Sequence, residues 1–283
     1  SYMSDLHSIN EAINKKAGRK LLPSIGVGLS LIALVGFTLS YQRELFAIVV
    51  AVAVILGLRE LVRAFAARGI VISFNALTVA AIGLSYAAWV GGVAGLAIAT
   101  AIAIPLLLIR ALLQGPEGFV AKATATSFSL LYLPFLAGFL ILLARPSTGF
   151  QRVMTFMVLV GCNDTFGYIV GVLLGKHPLV PKISPKKTWE GLVGSLLFTM
   201  IGGALAFEYI MDMHWWIGLI VGLMIVFTAT CGDLIESAMK RDLSLKDMGT
   251  LLPGHGGMLD RLDSVVLSAP AMWLALELVK RFL

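Results

Sequence analysis

Long apolar runs dominate the chain, and short polar segments separate them. Nine runs approach or exceed the roughly 20 residues that a helix needs to cross a bilayer. They cover residues 21–41, 44–62, 70–90, 92–113, 124–144, 152–175, 190–211, 214–239 and 264–283. The pattern therefore predicts an all-α fold, namely a polytopic integral membrane bundle of about nine transmembrane helices.

The composition excludes the main alternatives to a membrane protein. Of the 283 residues, 58% are hydrophobic and only 13% are charged. A soluble domain carries about 25% charged residues, so this chain has too few polar side chains to cover a water-soluble fold. Disordered, collagen-like and disulfide-rich chains are excluded on the same grounds.

The placement of Lys and Arg predicts the orientation, because these residues collect in cytoplasmic segments. With the N-terminus inside, 17 of the 22 basic residues fall in inner segments. This orientation places two polar loops, 175–190 and 240–263, on the cytoplasmic side. The predicted organisation is a cytoplasmic segment (1–20), an N-terminal transmembrane region (21–150) and a C-terminal transmembrane region (151–283). The last region carries both loops and all the candidate chemistry, whereas residues 1–150 place their polar residues at span ends, as membrane anchors do.

Acidic residues inside two apolar runs are the first candidates for function. Asp164 lies in the middle of the sixth run, where an ionisable group faces the protein interior or a water-filled cavity. The alternative is a protonated Asp that makes a structural hydrogen bond between helices. Asp233, Glu236 and Lys240 are spaced to share one face of the eighth helix. Their alternative is an ordinary ladder of interfacial charges.

The first cytoplasmic loop concentrates basic and hydroxyl side chains within seven residues. Such a loop can bind a polyanion by charge and by hydrogen bonds. The alternative is a topogenic loop that touches only anionic headgroups. The candidates are Lys182, Ser184, Lys186, Lys187 and Thr188.

The second cytoplasmic loop combines glycines with carboxylates. Gly254, Gly256 and Gly257 let the backbone approach a ligand closely. Asp260 and Asp263 share a face if the ninth helix begins here, and carboxylates in this position suit a hard cation that bridges phosphate oxygens. A magnesium ion takes only one or two protein carboxylates, so Asp260 with a second aspartate, Asp233 or Asp263, would suffice.

His255 lies among these glycines and has three possible roles: general base, phosphate donor or turn residue. A zinc site is not expected, because no second His or Cys occurs at ligand spacing.

Segment 237–263 resembles the signature of the phosphatidate cytidylyltransferases, which are also known as CDP-diacylglycerol synthases. Two further stretches, 184–191 and 163–168, are similar to that family as well. The signature elements are Ser237, Lys240 and Arg241; Lys246 and Asp247; residues 253–257; and Asp260, Arg261 and Asp263.

The resemblance implies that CTP and phosphatidic acid give CDP-diacylglycerol and pyrophosphate, with a divalent metal. It also implies a homodimer, and we expect a bacterial cytoplasmic membrane with the active site on the cytoplasmic side. Mg²⁺ is the expected cofactor, held by Asp233, Asp260 and Asp263, while Asp164 orders a polar network or a second cation. Lys240 and His255 complete the predicted catalytic set. Predicted substrate contacts are Lys182, Ser184, Lys186, Lys187, Thr188, Arg241, Lys246, Gly254, Gly256, Gly257, Arg261 and Asp164.

Two other functions compete with this interpretation. A transporter or channel also uses intramembrane acids, but it does not need the glycine-rich cytoplasmic loop. A CTP-dependent polyprenol or lipid kinase would transfer the γ-phosphate instead. CDP-alcohol phosphotransferases are disfavoured because their characteristic spacing of Asp, Gly and Arg is absent.

Overall fold

The computed structural model describes residues 21–245, 248–249 and 257–282, without the side chains of 21–29 and 31. Eight helices and one β-hairpin make up this part of the chain. The helices are α1 (Leu21–Tyr41), α2 (Arg43–Ala66), α3 (Phe74–Leu112), α4 (Phe119–Ala144), α5 (Gly149–Leu174), α6 (Trp189–Tyr209), α7 (Trp215–Asp242) and α8 (Leu259–Phe282). The strands are β1 (Pro178–Val180) and β2 (Ser184–Thr188).

Seven of the helices in the described residues are long and apolar enough to cross a membrane, and they are α2 to α8. The predicted all-α membrane bundle is therefore confirmed as a fold class. The number of nine spans stays a prediction, and it requires both that α1 crosses the membrane and that α3 counts as two spans.

Helix α3 has 39 residues, about twice the length that crosses the hydrocarbon core. It reverses direction at Gly92, whose φ of 64° and ψ of −148° favour glycine. A Cβ at Gly95 would overlap the carbonyl oxygen of Ala87, which shows that the chain folds back on itself. The Arg145 guanidinium donates to the carbonyls of Trp89 and Val90 at 2.7 and 3.0 Å, which caps the helical segment before the reversal.

Helices α5, α6, α7 and α8 pack on one another in chain order, and small residues allow close contact. A Cβ at Gly203 of α6 would overlap the carbonyl oxygen of Gly218 in α7. A Cβ at Gly194 would lie 2.6 Å from the Val170 side chain of α5. In a bilayer, helices associate by such close packing, because lipid tails are as apolar as the helices themselves.

The polar loop at 175–190 contains an antiparallel β-hairpin, which the sequence did not predict. Pro178 pairs with Thr188, and Val180 pairs with Ser184. The Thr188 hydroxyl then accepts from the Gly191 amide at 3.1 Å and caps the N-terminus of α6. Because β2 runs directly into this cap, the hairpin is fixed at the end of the bundle.

Candidate active site

Acidic side chains from α7 and α8 meet around one lysine. The Lys240 ammonium lies 2.7 Å from Asp260 Oδ1 and 3.1 Å from Glu236 Oε1. Glu236 is only 1% exposed, and its carboxyl group is within side-chain hydrogen-bonding reach of Asp260 and Asp263. Ionised acids that approach so closely repel one another, so the arrangement requires positive charge beside them or a proton on one of them.

A second lysine reaches the cluster from the hairpin. Lys187 Nζ lies 2.5 Å from Asp233 Oδ2, whose side chain is 39% exposed. Asp263 is 7% exposed and accepts from the Ser264 amide at 2.6 Å. The structure therefore brings the three predicted metal ligands, together with Lys187 and Lys240, to one end of the bundle.

Local backbone features place these carboxylates. A Cβ at Gly232 would overlap the carbonyl oxygen of Asp263, so glycine permits the close approach of α7 and α8. Helix α8 begins at Leu259, which puts Asp260 in its first turn, where a carboxylate complements the helix dipole. The Gly257 amide donates to Asp260 Oδ2 at 2.7 Å. The predicted helix start at the second loop is thus observed.

Asp164 on α5 borders the same cluster. It lies within electrostatic range of Asp233, Asp263 and Lys187, and it accepts a hydrogen bond from the Asn163 side chain at 2.9 Å. The Ser195 hydroxyl on α6 donates to the Asn163 carbonyl at 2.7 Å, which fixes this part of α5. Four elements, β2, α5, α7 and α8, therefore contribute to the site.

Three residues at the site were not among the predicted ones. Glu236 shares a predicted helix face with Asp233 and Lys240 but is not among the predicted catalytic, substrate or metal residues, yet it is the most buried acid of the cluster. Tyr132, 5% exposed, lies on a π-helical turn (Leu131–Phe135) within electrostatic range of Glu236 and Asp263. Its hydroxyl has no hydrogen-bond partner among the described residues. Glu60 on α2 contacts the start of α8.

Helical spacing relative to Asp233 is a signal for Glu236, because the two residues are three positions apart. No local signal identifies Tyr132, because an aromatic residue in an apolar run looks like core. Glu60 resembled a span-end anchor, because basic residues surround it in the sequence.

The remaining predicted residues occupy the same end of the bundle or lie outside the described chain. Ser184, Lys186 and Thr188 lie on β2, and Lys182 lies in the hairpin turn. Arg241 Nε donates to the Ile183 carbonyl at 3.3 Å, which ties α7 to the hairpin, and Arg261 lies in the first turns of α8. The residues outside the described chain are Lys246, Gly254, His255 and Gly256.

The donor set at this site suits a hard divalent cation. All its ligand atoms are carboxylate oxygens, and Glu236 Oε1 is buried without a well-formed hydrogen bond in the described chain. Within the described ranges, no three ligand side chains converge closely enough to hold a metal as they stand. A magnesium ion needs only one or two of them, provided that substrate phosphates supply further oxygens.

A cavity of about 830 Å³ lies at the opposite end of the bundle. Its lining mixes acids and bases, such as Glu208 and Arg152, and includes none of the predicted site residues. Glu208 accepts from the Trp215 amide at 3.1 Å and so connects α6 to α7. The predicted site residues that the structure describes therefore lie at the end that carries the hairpin.

The fold and the site together define a helical membrane protein with a phosphate-compatible, acid- and lysine-lined site at one end. A model of the cytidylyltransferase family matches residues 24–279. The chain therefore belongs to the cytidylyltransferase family, and it is a nucleotidyltransferase by class, as the sequence predicted.

Named relatives agree with this assignment. A phosphatidate cytidylyltransferase of Mycobacterium leprae (strain TN) is 38% identical over 280 residues, which cover 93% of this chain and 90% of the relative. One from Mycobacterium bovis is 36% identical over 277 residues, with the same coverage of 93% and 90%. One from Staphylococcus aureus (strain COL) is 41% identical over 137 residues, 48% of this chain and 52% of the relative. The family predicted from the motifs is confirmed.

Proposed function

We propose that this protein transfers a cytidylyl group from CTP to phosphatidic acid, giving CDP-diacylglycerol and pyrophosphate for phospholipid synthesis. The observation that supports this most directly is the meeting of Asp233, Glu236, Asp260 and Asp263 with Lys187 and Lys240. Acids and lysines side by side suit a pair of phosphate substrates, because a cation and the ammonium groups offset the repulsion between them.

The proposed step is a direct displacement. A phosphate oxygen of phosphatidic acid forms a bond to the α-phosphorus of CTP, and the bond from that phosphorus to the bridging oxygen of the β-phosphate breaks. The electron pair leaves with pyrophosphate. Phosphatidate is already ionised near neutral pH, so the step needs no strong general base, and the described residues serve mainly to position and to neutralise.

Lysine and arginine side chains are assigned to the phosphates. Lys187 and Lys240 already contact the acid cluster, so each is within reach of a phosphate bound there. Lys182, Lys186, Arg241 and Arg261 surround the same end of the bundle and extend the positive surface. An ammonium or guanidinium group beside a phosphate strengthens its hydrogen bonds through charge.

Asp233, Asp260 and Asp263 are proposed to hold Mg²⁺, with Asp164 ordering the polar network or a second cation. When bound, the metal would offset charge on the phosphate oxygens and on the leaving pyrophosphate. The Lys240 ammonium lies between Glu236 and Asp260, and its positive charge offsets their negative charge whether or not a cation is bound.

The site is proposed to face the cytoplasm in a bacterial cytoplasmic membrane, and the chain is proposed to work as a homodimer. CTP is a cytoplasmic metabolite, whereas phosphatidic acid resides in the bilayer. Asp164 lies on a spanning helix and is exposed on the protein surface, which suits sideways entry of a lipid headgroup. The basic inner segments agree with this orientation.

Product analysis tests the proposal. Purified protein in detergent with Mg²⁺ and phosphatidic acid is incubated with CTP labelled in either the α- or the γ-phosphate. We expect label in lipid from α-labelled CTP only, together with released pyrophosphate. Label from γ-labelled CTP would identify a lipid kinase instead. Flux of solute into proteoliposomes without nucleotide consumption would identify a transporter.

A further inference from the structure

Helix α2 and the turn that follows it contact both ends of the segment that links α7 to α8, although they lie between about 170 and 200 residues earlier in the chain. Glu60, 3% exposed, accepts from the Met258 amide through Oε1 and from the Leu259 amide through Oε2, both at 2.9 Å. Just beyond the end of α2, Arg68 donates to the Asp242 carbonyl and the Ser244 hydroxyl, both at 2.6 Å. The two contacts bracket the segment.

The charges of both contacts match the helix ends that they meet. The first amides of a helix lack internal partners and carry partial positive charge, and the last carbonyls carry partial negative charge. Glu60 supplies a carboxylate to the N-terminus of α8, whereas Arg68 supplies a guanidinium to the C-terminus of α7. A residue that only filled space would not need a charge opposite to the partial charge of the helix end that it contacts.

Two glycines of the linking region lie against the Glu60 carboxylate. A Cβ at Gly249 would overlap Oε1, and a Cβ at Gly257 would overlap Oε2. Both oxygens are thus enclosed by backbone, which explains why an acid can be almost fully buried here. The glycine at 257 is therefore needed for the contact with α2 as well as for any approach to a ligand.

We propose that Glu60 and Arg68 are positioning residues, and that Glu60 sets the start of α8 so that Asp260 and Asp263 lie in the active site. Asp260 follows directly after the capped amide of Leu259, and its Oδ2 accepts from the Gly257 amide at 2.7 Å. A shift of this first turn moves Asp260 away from Lys240 and Glu236. The effect of Glu60 on catalysis rests on the proposed function, whereas its capping of α8 does not.

The main variant is Glu60→Gln, which keeps the volume but removes the charge and places an amide NH2 group against one of the two backbone donors. We expect kcat to fall by about 10- to 100-fold, as for outer partners of metal ligands. The Mg²⁺ concentration for half-maximal activity should rise, while the KM for CTP at saturating Mg²⁺ stays close to that of the wild type. Glu60→Asp keeps the charge and should retain more activity than Glu60→Gln.

Hydrogen–deuterium exchange gives a readout that is independent of turnover. In Glu60→Gln the amides of Met258 and Leu259 should exchange faster than in the wild type, whereas those in the middle of α8 should not. Arg68→Gln should act in the same direction on kcat with a smaller effect, because its contacts are exposed. Glu44→Gln and Arg63→Gln, both exposed on α2, are the matched controls and should behave like the wild type.

Wild-type exchange at Met258 and Leu259 in both Glu60 variants would overturn the inference, and so would loss of activity without faster exchange. If Glu60→Gln does not fold, exchange at Met258 and Leu259 is measured in Glu60→Asp, whose shorter side chain should also speed it, though by less. If the wild type makes no CDP-diacylglycerol but Glu60→Gln exchanges faster, the cap stands and the proposed function fails.

Discussion

The N-terminal and C-terminal halves of the chain contribute to the site in different ways. Helices α5 to α8 and the hairpin carry clustered polar residues, and these supply the acids and lysines. Helices α2 and α4 each add one buried polar side chain to this end of the bundle: Glu60 caps α8, and Tyr132 lies within electrostatic range of Glu236 and Asp263. The site therefore depends on both halves, although the motifs lie in only one.

This difference explains what the sequence predicts and what it does not. Lys187 and Asp260 lie in the family-like stretches 184–191 and 237–263, and helical spacing predicts that Asp233, Glu236 and Lys240 share a face. Glu60 and Met258 are 198 residues apart, so their contact depends on how α2 packs against α8. Apolar periodicity cannot give that packing, because lipid-facing and protein-facing sides of a span are equally apolar.

The spans and the hairpin show the same contrast between features that local sequence predicts and features that it does not. The runs 70–90 and 92–113 were recognised by length, and the reversal at Gly92 separates them in α3. At the hairpin the sequence predicts only a polar loop, because Pro185 and three lysines are poor indicators of a strand. Its pairing of Val180 with Ser184 is closed by a tight turn, in which the Ile183 amide donates to the Val180 carbonyl at 3.1 Å.

The largest effect is expected from Asp260→Asn, which tests the motif half. The change removes one carboxylate from the contact with Lys240 and from the proposed metal site. Loss of CDP-diacylglycerol formation should exceed the roughly 100-fold that outer partners of metal ligands show. The measurement is turnover with CTP, phosphatidic acid and Mg²⁺. Asp212→Asn, at the opposite end of the bundle, is the control, and wild-type-like turnover of Asp260→Asn would remove Asp260 from the site.

Gly232→Ala tests whether close packing of α7 and α8 sets the site. The added Cβ would overlap the Asp263 carbonyl oxygen, so the two helices must move apart. Overpacking of this kind costs about 1–3 kcal/mol of stability, and turnover should fall as Asp263 moves. Thermal unfolding in detergent and turnover are measured together. Gly83→Ala in α3 has open space around its Cβ and should be neutral; equal behaviour of the two variants would contradict the packing argument.

Tyr132→Phe tests the contribution of the N-terminal half. The hydroxyl is buried beside the acid cluster without a partner in the described chain, so it is available to a phosphate or to a cation-bound water. A hydrogen bond to a charged group is worth about 1.5–3 kcal/mol, so turnover should fall about tenfold or more. Thermal stability should not fall, because no internal hydrogen bond is lost. Tyr86→Phe, exposed on α3, is the control. Unchanged turnover of Tyr132→Phe would limit this residue to packing.

Thr188 differs from the other residues of the C-terminal motifs, because its observed role is structural: it caps the N-terminus of α6. Its hydroxyl caps α6 through the Gly191 amide, and its predicted substrate contact competes with that role. Thr188→Ala should cost about 1 kcal/mol of stability, whereas Thr188→Ser keeps the hydroxyl and should recover most of it. The KM for CTP should stay unchanged in both variants if the cap is the main role. If the KM rises in Thr188→Ala without loss of thermal stability, the hydroxyl contacts the nucleotide instead. The hairpin would then bind substrate through Thr188 as well as through the lysines that are proposed to contact phosphate.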